Sequence, residues 1–408
     1  MVKYYYILAI INPFLALLVS LREKAPESVK WTLAILFCMF FGLNFYPASE
    51  GLDSYTHYEK FLQYHKKGAE ILNEHWSGLK NGVTDPELYV PVTYFLLSRV
   101  TDSIGIFFAF HALVYALFFV GSLRLLYRMR TRKLTGIGLI MFLFVVFLFP
   151  IHQINAIRWF TAMWAFVYCF MRYLNGDKHF LYLAFLPGLI HFSLYVPAVF
   201  LLLSKFIGYR PWLLLGILLL SFAVPRISSN TLVENKNIIG IQSIEKRSVS
   251  YTNEDYVELK QNSLKTLNWY VTWRYTLVHY FLVIIAGFYL FRNFRSEIDR
   301  KGKIFYSFLF VWATFVNFTF EIPSFGGRMR FLLWVLMAAF LFLRSSKIFL
   351  KENTLLNYIG LGIILLYALV DLRAYSANVS INWIIGNPIL AILPVQAVTL
   401  RDVLFFWE

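Results

Sequence analysis

The stretch FTFEIPSFGGRMRFLLWVL, residues 318–336, joins two apolar runs and places two arginines at the start of the second. Apolar runs recur along most of the 408 residues, and many approach the roughly 20 residues that cross a bilayer core. The chain is 59% hydrophobic with a mean hydropathy of +0.60, so it is more apolar than a soluble globular domain. The sequence therefore predicts an all-α, polytopic membrane protein, with residues 1–408 forming one integral membrane domain.

We predict about 12 transmembrane helices together with two apolar segments that lie only partly in the membrane. The first apolar run, residues 4–21, follows a single lysine and lacks a small-residue cleavage site, so it is expected to be a retained span. Segments 86–100 and 381–400 are interrupted by prolines and are expected to be re-entrant or interfacial. The remaining expected spans are 30–46, 104–127, 134–151, 156–174, 179–191, 192–206, 211–225, 269–292, 303–320, 328–345 and 354–372.

Six short segments carry most of the net charge and set the expected orientation. They hold 20 of the 38 Lys and Arg residues but 6 of the 23 Asp and Glu residues, which leaves 18 basic and 17 acidic residues elsewhere. Short loops rich in Lys and Arg stay on the cytoplasmic side, so the long loops 47–103 and 226–268 are expected outside. Topology thus accounts for the net charge of +15, and we predict no nucleic-acid partner. The six segments are 22–30, 124–133, 172–178, 205–210, 292–303 and 344–353.

Several common classes of site have no signal in the sequence. The two cysteines, Cys38 and Cys169, lie in separate apolar runs and predict neither a disulfide nor a metal site. The chain contains no phosphate-binding glycine loop, no dinucleotide-binding glycine motif, no zinc-protease motif and no paired-cysteine motif. We therefore expect no cofactor and no metal ion, and the candidate chemistry lies on the outer side.

Two acidic segments flank apolar runs on the outer side. In GLDSYTHYEKFLQYHKK, a helix would place Tyr55 and Tyr58 on one interfacial stripe and Asp53 at its start. Asp53 is then either the N-cap of that helix or a carboxylate that accepts a proton or binds a sugar hydroxyl. In TDPELYVPVTYFLL, Glu87 and Tyr89 open the first proline-interrupted segment, where an acidic residue also suits the helix dipole.

Two further polar groups interrupt apolar runs. In FPIHQINAIRWFTAMWAF, residues 149–166, His152, Asn155 and Arg158 recur at helical spacing and share one face. Arg158 alone could reach back to the headgroups, but several polar side chains on one face favour a functional site. In LPGLIHFSLYVP, His191 stands between prolines, which predicts a broken helix facing a cavity; the alternative is a buried core histidine.

The opening stretch contains the candidate anion site. Arg328 and Arg330 are two residues apart, so they cannot share one narrow helix face but can grip a bulky anion from two directions. Guanidinium groups match phosphate oxygens, the N–H groups of a helix start add attraction, and the Gly-Gly pair before Arg328 would let the anion approach the backbone. The alternative is that Glu321 simply pairs with one arginine.

Arginines and a histidine beside lipid indicate an anion that stays in the membrane, such as a lipid-linked phosphate or pyrophosphate. Carboxylates and tyrosines in the outer loops suit a sugar, so the residues predict a site that joins a lipid phosphate to a glycan. The candidate bases for a sugar hydroxyl are His191, Asp53 and Glu87, with His191 favoured because imidazole titrates near neutrality. The expected pyrophosphate ligands are Arg158, Arg328 and Arg330, and the expected glycan ligands are Tyr55, Tyr58, Tyr89, His152, Asn155 and Glu321.

Five motifs, in this order over about residues 40–345, resemble the EpsG family of Wzy-type polysaccharide polymerases: LDSYTHYEKF, PELYVPVTYFLLS, INAIRWFTA, LIHFSLYVPAVFLL and GRMRFLLW. Two positions depart from the family pattern, because Arg158 is followed by Trp159 where Gln is common, and His191 opens HFSL instead of HxSA. The long second loop and the residues after 373 match no family motif. The positions that the resemblance marks are Asp53, Glu87, Arg158, His191, Arg328 and Arg330.

The resemblance implies a multi-pass glycosyltransferase of the GT-C-like class in the bacterial inner membrane, with its active site on the periplasmic or outer side. Donor and acceptor would both be oligosaccharides linked to undecaprenyl pyrophosphate. The growing glycan would move to the non-reducing end of a single repeat unit, and the carrier pyrophosphate would leave. The arginines would hold the developing charge without a metal, and a chain-length regulator is a further candidate partner.

Two other functions would use similar residues. An O-antigen ligase-type glycosyltransferase would take the same donor with a different acceptor. A flippase or transporter of lipid-linked oligosaccharide would need arginines in a cavity but no base. A transporter is expected to carry cationic groups through the depth of its cavity and to show repeated halves, whereas this sequence has its motif charges near one face and no internal repeat. The polymerase is therefore the favoured prediction.

Overall fold

The structure, a computed structural model, describes residues 2–23, 25–47, 52–84, 86–130, 134–224, 262, 268–293, 298–322, 324–348, 354–392 and 398–404. Within these ranges the protein is all-helical, and β-structure is limited to two isolated antiparallel bridges, Phe45 with Val379 and Ser380 with Thr399. The predicted outer loop 226–268 lies outside the described residues, apart from two single positions.

Eleven α-helices are described up to residue 224. They are α1 Val2–Ile11, α2 Pro13–Arg22, α3 Glu27–Leu43, α4 Asp53–Lys80, α5 Tyr89–Ser98, α6 Ile104–Met129, α7 Gly136–Phe147, α8 Ile157–Leu174, α9 Phe180–Leu183, α10 Tyr195–Ile207 and α11 Pro211–Ala223. Short 3-10 turns connect several of them, at Ile151–Ala156, Leu186–Leu189 and Phe192–Leu194.

Seven more α-helices are described in the second half. They are α12 Trp269–Asn293, α13 Arg300–Thr319, α14 Phe325–Ile348, α15 Thr354–Tyr375, α16 Asn382–Ile385, α17 Pro388–Ala391 and α18 Leu400–Leu404.

By length and composition, five segments among the described residues can cross a membrane: Ile104–Met129, Gly136–Leu174, Trp269–Leu290, Phe325–Ser345 and Thr354–Asn378. Gly136–Leu174 is 39 residues long and contains α7, a 3-10 turn and α8, which are two of the predicted spans. The chain is thus a membrane protein built from apolar helices, while the number of about 12 spans and the GT-C-like arrangement stay predictions.

The predicted first span, residues 4–21, is two ten-residue helices rather than one. Pro13 cannot donate a backbone hydrogen bond and occupies the first position of α2. The side chain of Asn12 accepts the backbone N–H of Leu15 at 2.8 Å, which caps the second helix. The Asn-Pro dipeptide therefore ends one helix and starts the next. The prediction of one span relied on apolar composition and did not use this dipeptide.

Helix α4 differs from its prediction in two details. Leu52 is the N-cap and Asp53 is the first helical residue, so the predicted capping role of Asp53 is wrong. The buried stripe also lies one residue away from the expected Tyr55 and Tyr58 stripe, because the side chains that pack against α5 and α6 decide which face is covered. The buried residues of α4 are Ser54, His57, Phe61, Tyr64 and Gly68.

The helices have two distinct ends, which we call the basic end and the site end. At the basic end, contacts join segments that the charge pattern assigns to the inner side. At the site end, Phe45 pairs with Val379, and Ser54 meets Asn155. Helix α8 runs from one end to the other, with Arg158 at the site end and Arg172 at the basic end. The basic-end contacts are Arg128 with Glu27, Lys301 with Asn175, and Arg344 with Asp299.

Close packing of α3, α6 and α8 fixes the position of the site end. A Cβ atom at Gly42 of α3 would lie 2.5 Å from the carbonyl oxygen of Phe108 on α6, so only glycine permits this approach. On α8, the buried Trp164 indole donates to the Tyr115 hydroxyl at 2.8 Å, and that hydroxyl donates to the Phe149 carbonyl at 2.5 Å. These bonds hold the turn before α8, which carries several predicted site residues.

Candidate functional site

Three separate segments meet at the carboxylate of Glu87, which is buried just before α5. Its Oε2 accepts Arg158 Nη1 at 2.7 Å, and its Oε1 accepts the backbone N–H of Phe192 at 3.2 Å. The Nδ1 atom of His191 lies 3.9 Å from Oε1. We call Glu87, Arg158 and His191 the Glu87 cluster. Segments up to 105 residues apart in the sequence therefore form one polar site.

The backbone around His191 is held by a break in the helix. His191 has extended dihedrals, φ −148° and ψ 116°, between the 3-10 turns Leu186–Leu189 and Phe192–Leu194. The N–H of Leu88 donates to the Leu189 carbonyl at 2.7 Å, which ties this break to Glu87. The predicted broken helix at His191 is confirmed, because Pro187 removes a backbone donor and a 3-10 turn replaces the α-helix.

The hydrogen bonds of His191 assign its neutral tautomer. The backbone N–H of Ser193 donates to His191 Nδ1 at 3.3 Å, and the Ser193 hydroxyl lies 2.9 Å from the same atom. A nitrogen that accepts carries no proton, so the proton of the neutral ring is on Nε2.

A buried layer of histidines and tyrosines surrounds the Glu87 cluster. Tyr94 and His57 share a hydrogen bond of 2.7 Å between the hydroxyl and Nδ1, and Tyr89 and His111 share another of 2.7 Å. Burial lowers the pKa of His57 well below its usual range, and the positive charge of Arg158 lowers it further. His57 is therefore neutral at physiological pH. Neither His57 nor His111 was predicted, although His57 is one helical turn after Asp53.

A second polar site lies at the same end of the protein and centres on Asp371. The buried carboxylate of Asp371 contacts His152 Nε2 at 2.9 Å and also accepts Arg274 Nη1. Arg274 donates to the Tyr275 hydroxyl at 2.8 Å, and the rings of His152 and Tyr375 are 4.5 Å apart. We call Asp371, His152 and Arg274 the Asp371 cluster. His152 therefore contacts Asp371 and not the predicted neighbours Asn155 and Arg158.

With both clusters located, the match to a known family can be placed on the structure. The model of the EpsG family matches residues 29–384, which is nearly the whole chain. The chain belongs to the EpsG family. No curated protein and no solved structure matches it. Family membership and the apolar helices together make it a membrane protein of polysaccharide biosynthesis.

The EpsG-family match covers both clusters, but the other predicted residues have different surroundings. Asp53 is exposed at the start of α4, and the Ser54 hydroxyl next to it donates to Asn155 Oδ1 at 2.6 Å. Tyr58 points its hydroxyl to the Asp102 carbonyl at 3.2 Å. The structure thus connects Asn155 to the start of α4, whereas Tyr58 is used for a contact with the protein itself.

In this EpsG-family chain the arginines of the opening stretch lie in the first turns of α14. The guanidinium of Arg330 lies 4.8 Å from the ring centre of Phe320 and 5.3 Å from that of Trp334, and its buried Nε has no hydrogen-bond partner among the described residues. Arg328 lies half a turn earlier, and Glu321 is in the turn that follows α13. A common grip on an anion by Arg158, Arg328 and Arg330 stays a prediction.

The Gly-Gly pair before Arg328 has two different environments. A Cβ atom at Gly326 would lie 2.2 Å from the Thr319 carbonyl oxygen, so this glycine permits close packing of α14 on α13. Nothing lies within 4 Å of a Cβ atom at Gly327. The expected approach of an anion to the backbone therefore has room at Gly327 and none at Gly326.

Arg274 and Asp371 were not among the predicted site residues, although both lie in predicted spans. Their signal was present, because an ionisable residue within a transmembrane helix marks a functional site by default. Among the described residues, no group of three or more His, Cys, Asp and Glu side chains is arranged to hold a metal ion.

Proposed function

We propose that this EpsG-family protein is a polysaccharide polymerase. It would transfer a growing glycan from undecaprenyl pyrophosphate to the non-reducing end of a lipid-linked repeat unit. The reaction would take place at the site end, facing the periplasm or exterior from the bacterial inner membrane. The observation that carries the proposal is the Glu87 cluster, in which a carboxylate, an arginine and a histidine from three motifs come together in an apolar protein.

The reaction needs a base, and His191 is the proposed one because imidazole titrates near neutrality. The acceptor hydroxyl attacks the anomeric carbon of the donor glycan, and the new C–O bond forms as the bond to the pyrophosphate oxygen breaks. The proton of the hydroxyl passes to His191 Nδ1, the nitrogen that carries no proton in the neutral ring, and there replaces the contact with the Ser193 hydroxyl. Glu87, 3.9 Å from His191 Nδ1, stabilises the imidazolium that results. Glu87 itself is a poor base, because its carboxylate is already paired with Arg158.

The leaving group is an anion, so the site must stabilise negative charge as it develops. A guanidinium carries five N–H donors, and Arg158 donates one of them to Glu87 while about a third of its side chain remains exposed, 33%. Arg328 and Arg330 at the start of α14 are the other proposed pyrophosphate ligands. Phe331, the residue after Arg330, makes an edge-to-face contact with Trp159, the residue after Arg158, with ring centres 6.3 Å apart. The two helix starts therefore adjoin.

The proposed glycan ligands surround this region from the α4 side. Asp53 is exposed at the helix start and is the alternative base if His191 proves structural. Asn155 is held beside it by Ser54. Tyr55, Tyr89 and Glu321 keep their proposed roles in glycan binding, since aromatic faces and carboxylates suit sugar rings and hydroxyls. His152 is no longer a proposed glycan ligand, because it contacts Asp371.

The test is a reaction with a single substrate. Purified full-length protein in lipid nanodiscs is given one lipid-linked repeat unit, and the products are separated by size. A polymerase makes a ladder from this substrate alone. A ligase requires a second, different acceptor, and a transporter forms no bond. The absence of a ladder from protein that is shown to be folded would therefore overturn the proposal.

A matched pair of variants links the ladder to the site. His191→Gln keeps much of the side-chain volume and its hydrogen bonding but cannot take a proton at neutral pH. His179→Gln makes the same change at an exposed histidine at the start of α9, where the side chain makes no capping bond. The ladder should be lost in the first variant and kept in the second.

A further inference from the structure

An apolar groove of about 440 Å³ opens between α3, α6, α7 and α15. On α3 its wall extends from Trp31 to Phe41, and Phe119 of α6 and Ala368 of α15 face it from the other sides. Ten residues of helix rise about 15 Å, which is roughly half of a 30 Å hydrocarbon core. The groove thus has the length and lining to hold part of a lipid chain rather than a sugar.

The polar lining of this groove is concentrated at the site end. There His152, Tyr375 and Ser376 line it, whereas the wall between Ala34 and Phe41 is apolar. A groove that is apolar along its length and polar at one end matches a molecule with an apolar chain and a polar head. A soluble peptide or a free sugar lacks that division.

The Asp371 cluster lies directly behind the polar end. Asp371 is shared by His152 and Arg274, so one carboxylate faces two basic groups. Further charges near the cluster are Arg330, which acts on Tyr275, and Asp53, which acts on Tyr375. Arg373 and Arg401 line a neighbouring pocket together with Ser376, so the arginines at this end outnumber the carboxylates of Asp371 and Asp53. A phosphate beside His152 would supply the matching negative charge.

Only one nitrogen of His152 is used by the cluster. Its Nε2 atom faces Asp371, and among the described residues its Nδ1 atom has no hydrogen-bond partner. Holding a carboxylate and an arginine away from water costs several kcal/mol per ion. Charges are therefore kept inside a membrane protein mainly where they act on a ligand or an ion.

We propose that the groove and the Asp371 cluster together form a binding site for a polyprenyl phosphate lipid, with its chain in the groove and its phosphate at His152. The inference rests on the proposed function, which requires two lipid-linked molecules, one as donor and one as acceptor. The Glu87 cluster accounts for one of them, and the Asp371 cluster provides a place for the other. The wall includes large aromatic side chains, such as Phe37 and Phe147, which offer apolar surface to an isoprenoid chain.

Photolabelling tests the site without glycan transfer. The full-length protein in phospholipid nanodiscs is labelled with farnesyl phosphate that carries a photoreactive diazirine on its chain, and the labelled peptides are identified by mass spectrometry. Label is expected on groove residues of α3 and α15. Undecaprenyl phosphate should compete for this labelling, whereas excess phosphatidylglycerol should not. Competition by phosphatidylglycerol would mean that the groove holds bulk phospholipid and would overturn the proposal.

Two neighbouring substitutions on α15 distinguish binding in the groove from binding on the outer surface of the helix. Ala368→Trp fills the groove, while Leu369→Trp puts the same side chain on the exposed face. A filled groove excludes the chain, so labelling should fall about tenfold or more in Ala368→Trp. It should not change in Leu369→Trp. Equal labelling of the two variants would contradict the proposal, and Ala34→Trp repeats the test from α3 if Ala368→Trp does not fold.

The role of the head end is tested by comparing two probes. His152→Gln should reduce the preference of the site for photoreactive farnesyl phosphate over the corresponding farnesol, because the phosphate partner is lost. An unchanged preference would mean that the phosphate does not bind at His152. Groove labelling without a glycan ladder would refute only the proposed polymerase, and a ladder without groove labelling would refute only this site.

Discussion

The two ends of this protein contain the same kinds of ion pair in opposite surroundings. At the basic end, Arg128 and Glu27 are 3.0 Å apart and their side chains are 51% and 42% exposed. At the site end, the carboxylates of Glu87 and Asp371 are 6% and 2% exposed. The number of charges therefore does not identify a site in a membrane protein. The degree to which the charges are buried identifies it.

The energies of the two kinds of pair explain this contrast. An exposed ion pair contributes about 0–1 kcal/mol, so it can be gained or lost with little effect on folding. A buried pair must offset a desolvation cost of several kcal/mol per ion, and apolar residues of similar size would often be as stable. The Glu87 and Asp371 clusters are therefore poor choices for stability alone. This supports a role for both in chemistry or binding.

The largest expected difference between the two ends is accessibility. Ser77→Cys on α4 and Ser28→Cys at the start of α3 are both exposed, and the native Cys38 and Cys169 are buried. If the loop 47–103 faces out, an impermeant thiol reagent should label Ser77→Cys in intact cells whose outer barrier has been opened. Ser28→Cys should be labelled only after lysis. The reverse result would invert the topology, and it would place the proposed reaction on the wrong side of the membrane.

The next largest effect is expected at His191. A general base contributes about 10²–10⁴-fold in rate, so His191→Gln should slow ladder formation by a factor in that range while the thermal stability of the purified protein stays close to that of the wild type. His191 would be a structural residue if the rate were unchanged. Asp53→Asn would then be the variant expected to lose activity.

Arg158 and Arg172 allow the two ends to be compared on one helix. Both lie on α8, both pair with a carboxylate, and their side chains are 33% and 35% exposed. Lysine keeps the charge but loses the planar guanidinium. Hydrogen bonds to charged groups contribute about 1.5–3 kcal/mol, so Arg158→Lys should reduce the polymerisation rate about 10- to 100-fold. Arg172→Lys should polymerise normally, and similar losses in both would mean that α8 simply needs arginine for its stability.

The site could be predicted from the sequence where the signal was local. Pro187 and Pro197 marked the broken helix around His191, and Glu87 and Arg158 stood out because each is an ionisable residue beside an apolar run. Their meeting could not be predicted, since spacing along the chain says nothing about which turns of different helices adjoin. The family resemblance supplied that link, because its motifs belong to one site.

The rest of the fold shows where sequence patterns stop being informative. Hydropathy cannot separate one span from two short helices, and the break at Asn12 depends on a capping bond and a proline. The Asp371 cluster was missed for a related reason. Arg274 and Asp371 are 97 residues apart, and each alone resembles a charge near a helix end that could reach the headgroups. Their pairing is a tertiary contact.

A smaller effect is expected at Arg330, whose guanidinium lies over Phe320 and Trp334. Cation–π contacts contribute about 0.5–2 kcal/mol. Arg330→Lys keeps the charge but stacks less well, so the midpoint of thermal unfolding should fall by a few degrees at most. If Arg330 also binds pyrophosphate, the Michaelis constant for the lipid-linked substrate should rise as well. A change in stability with an unaltered Michaelis constant would limit Arg330 to packing.

The smallest effect is expected for the exposed pair at the basic end. Because Arg128 and Glu27 are both about half exposed, water and salt screen their attraction, and a double-mutant cycle should give a coupling of about 0–1 kcal/mol that falls as salt is raised. The cycle consists of Arg128→Gln, Glu27→Gln and the double variant, followed by thermal unfolding at low and high salt. The same cycle for Arg158 and Glu87 should give a larger coupling that salt changes little, because burial excludes the screening ions. Equal couplings at the two ends would mean that burial does not distinguish these pairs, and the physical argument for the Glu87 cluster as a functional site would fail.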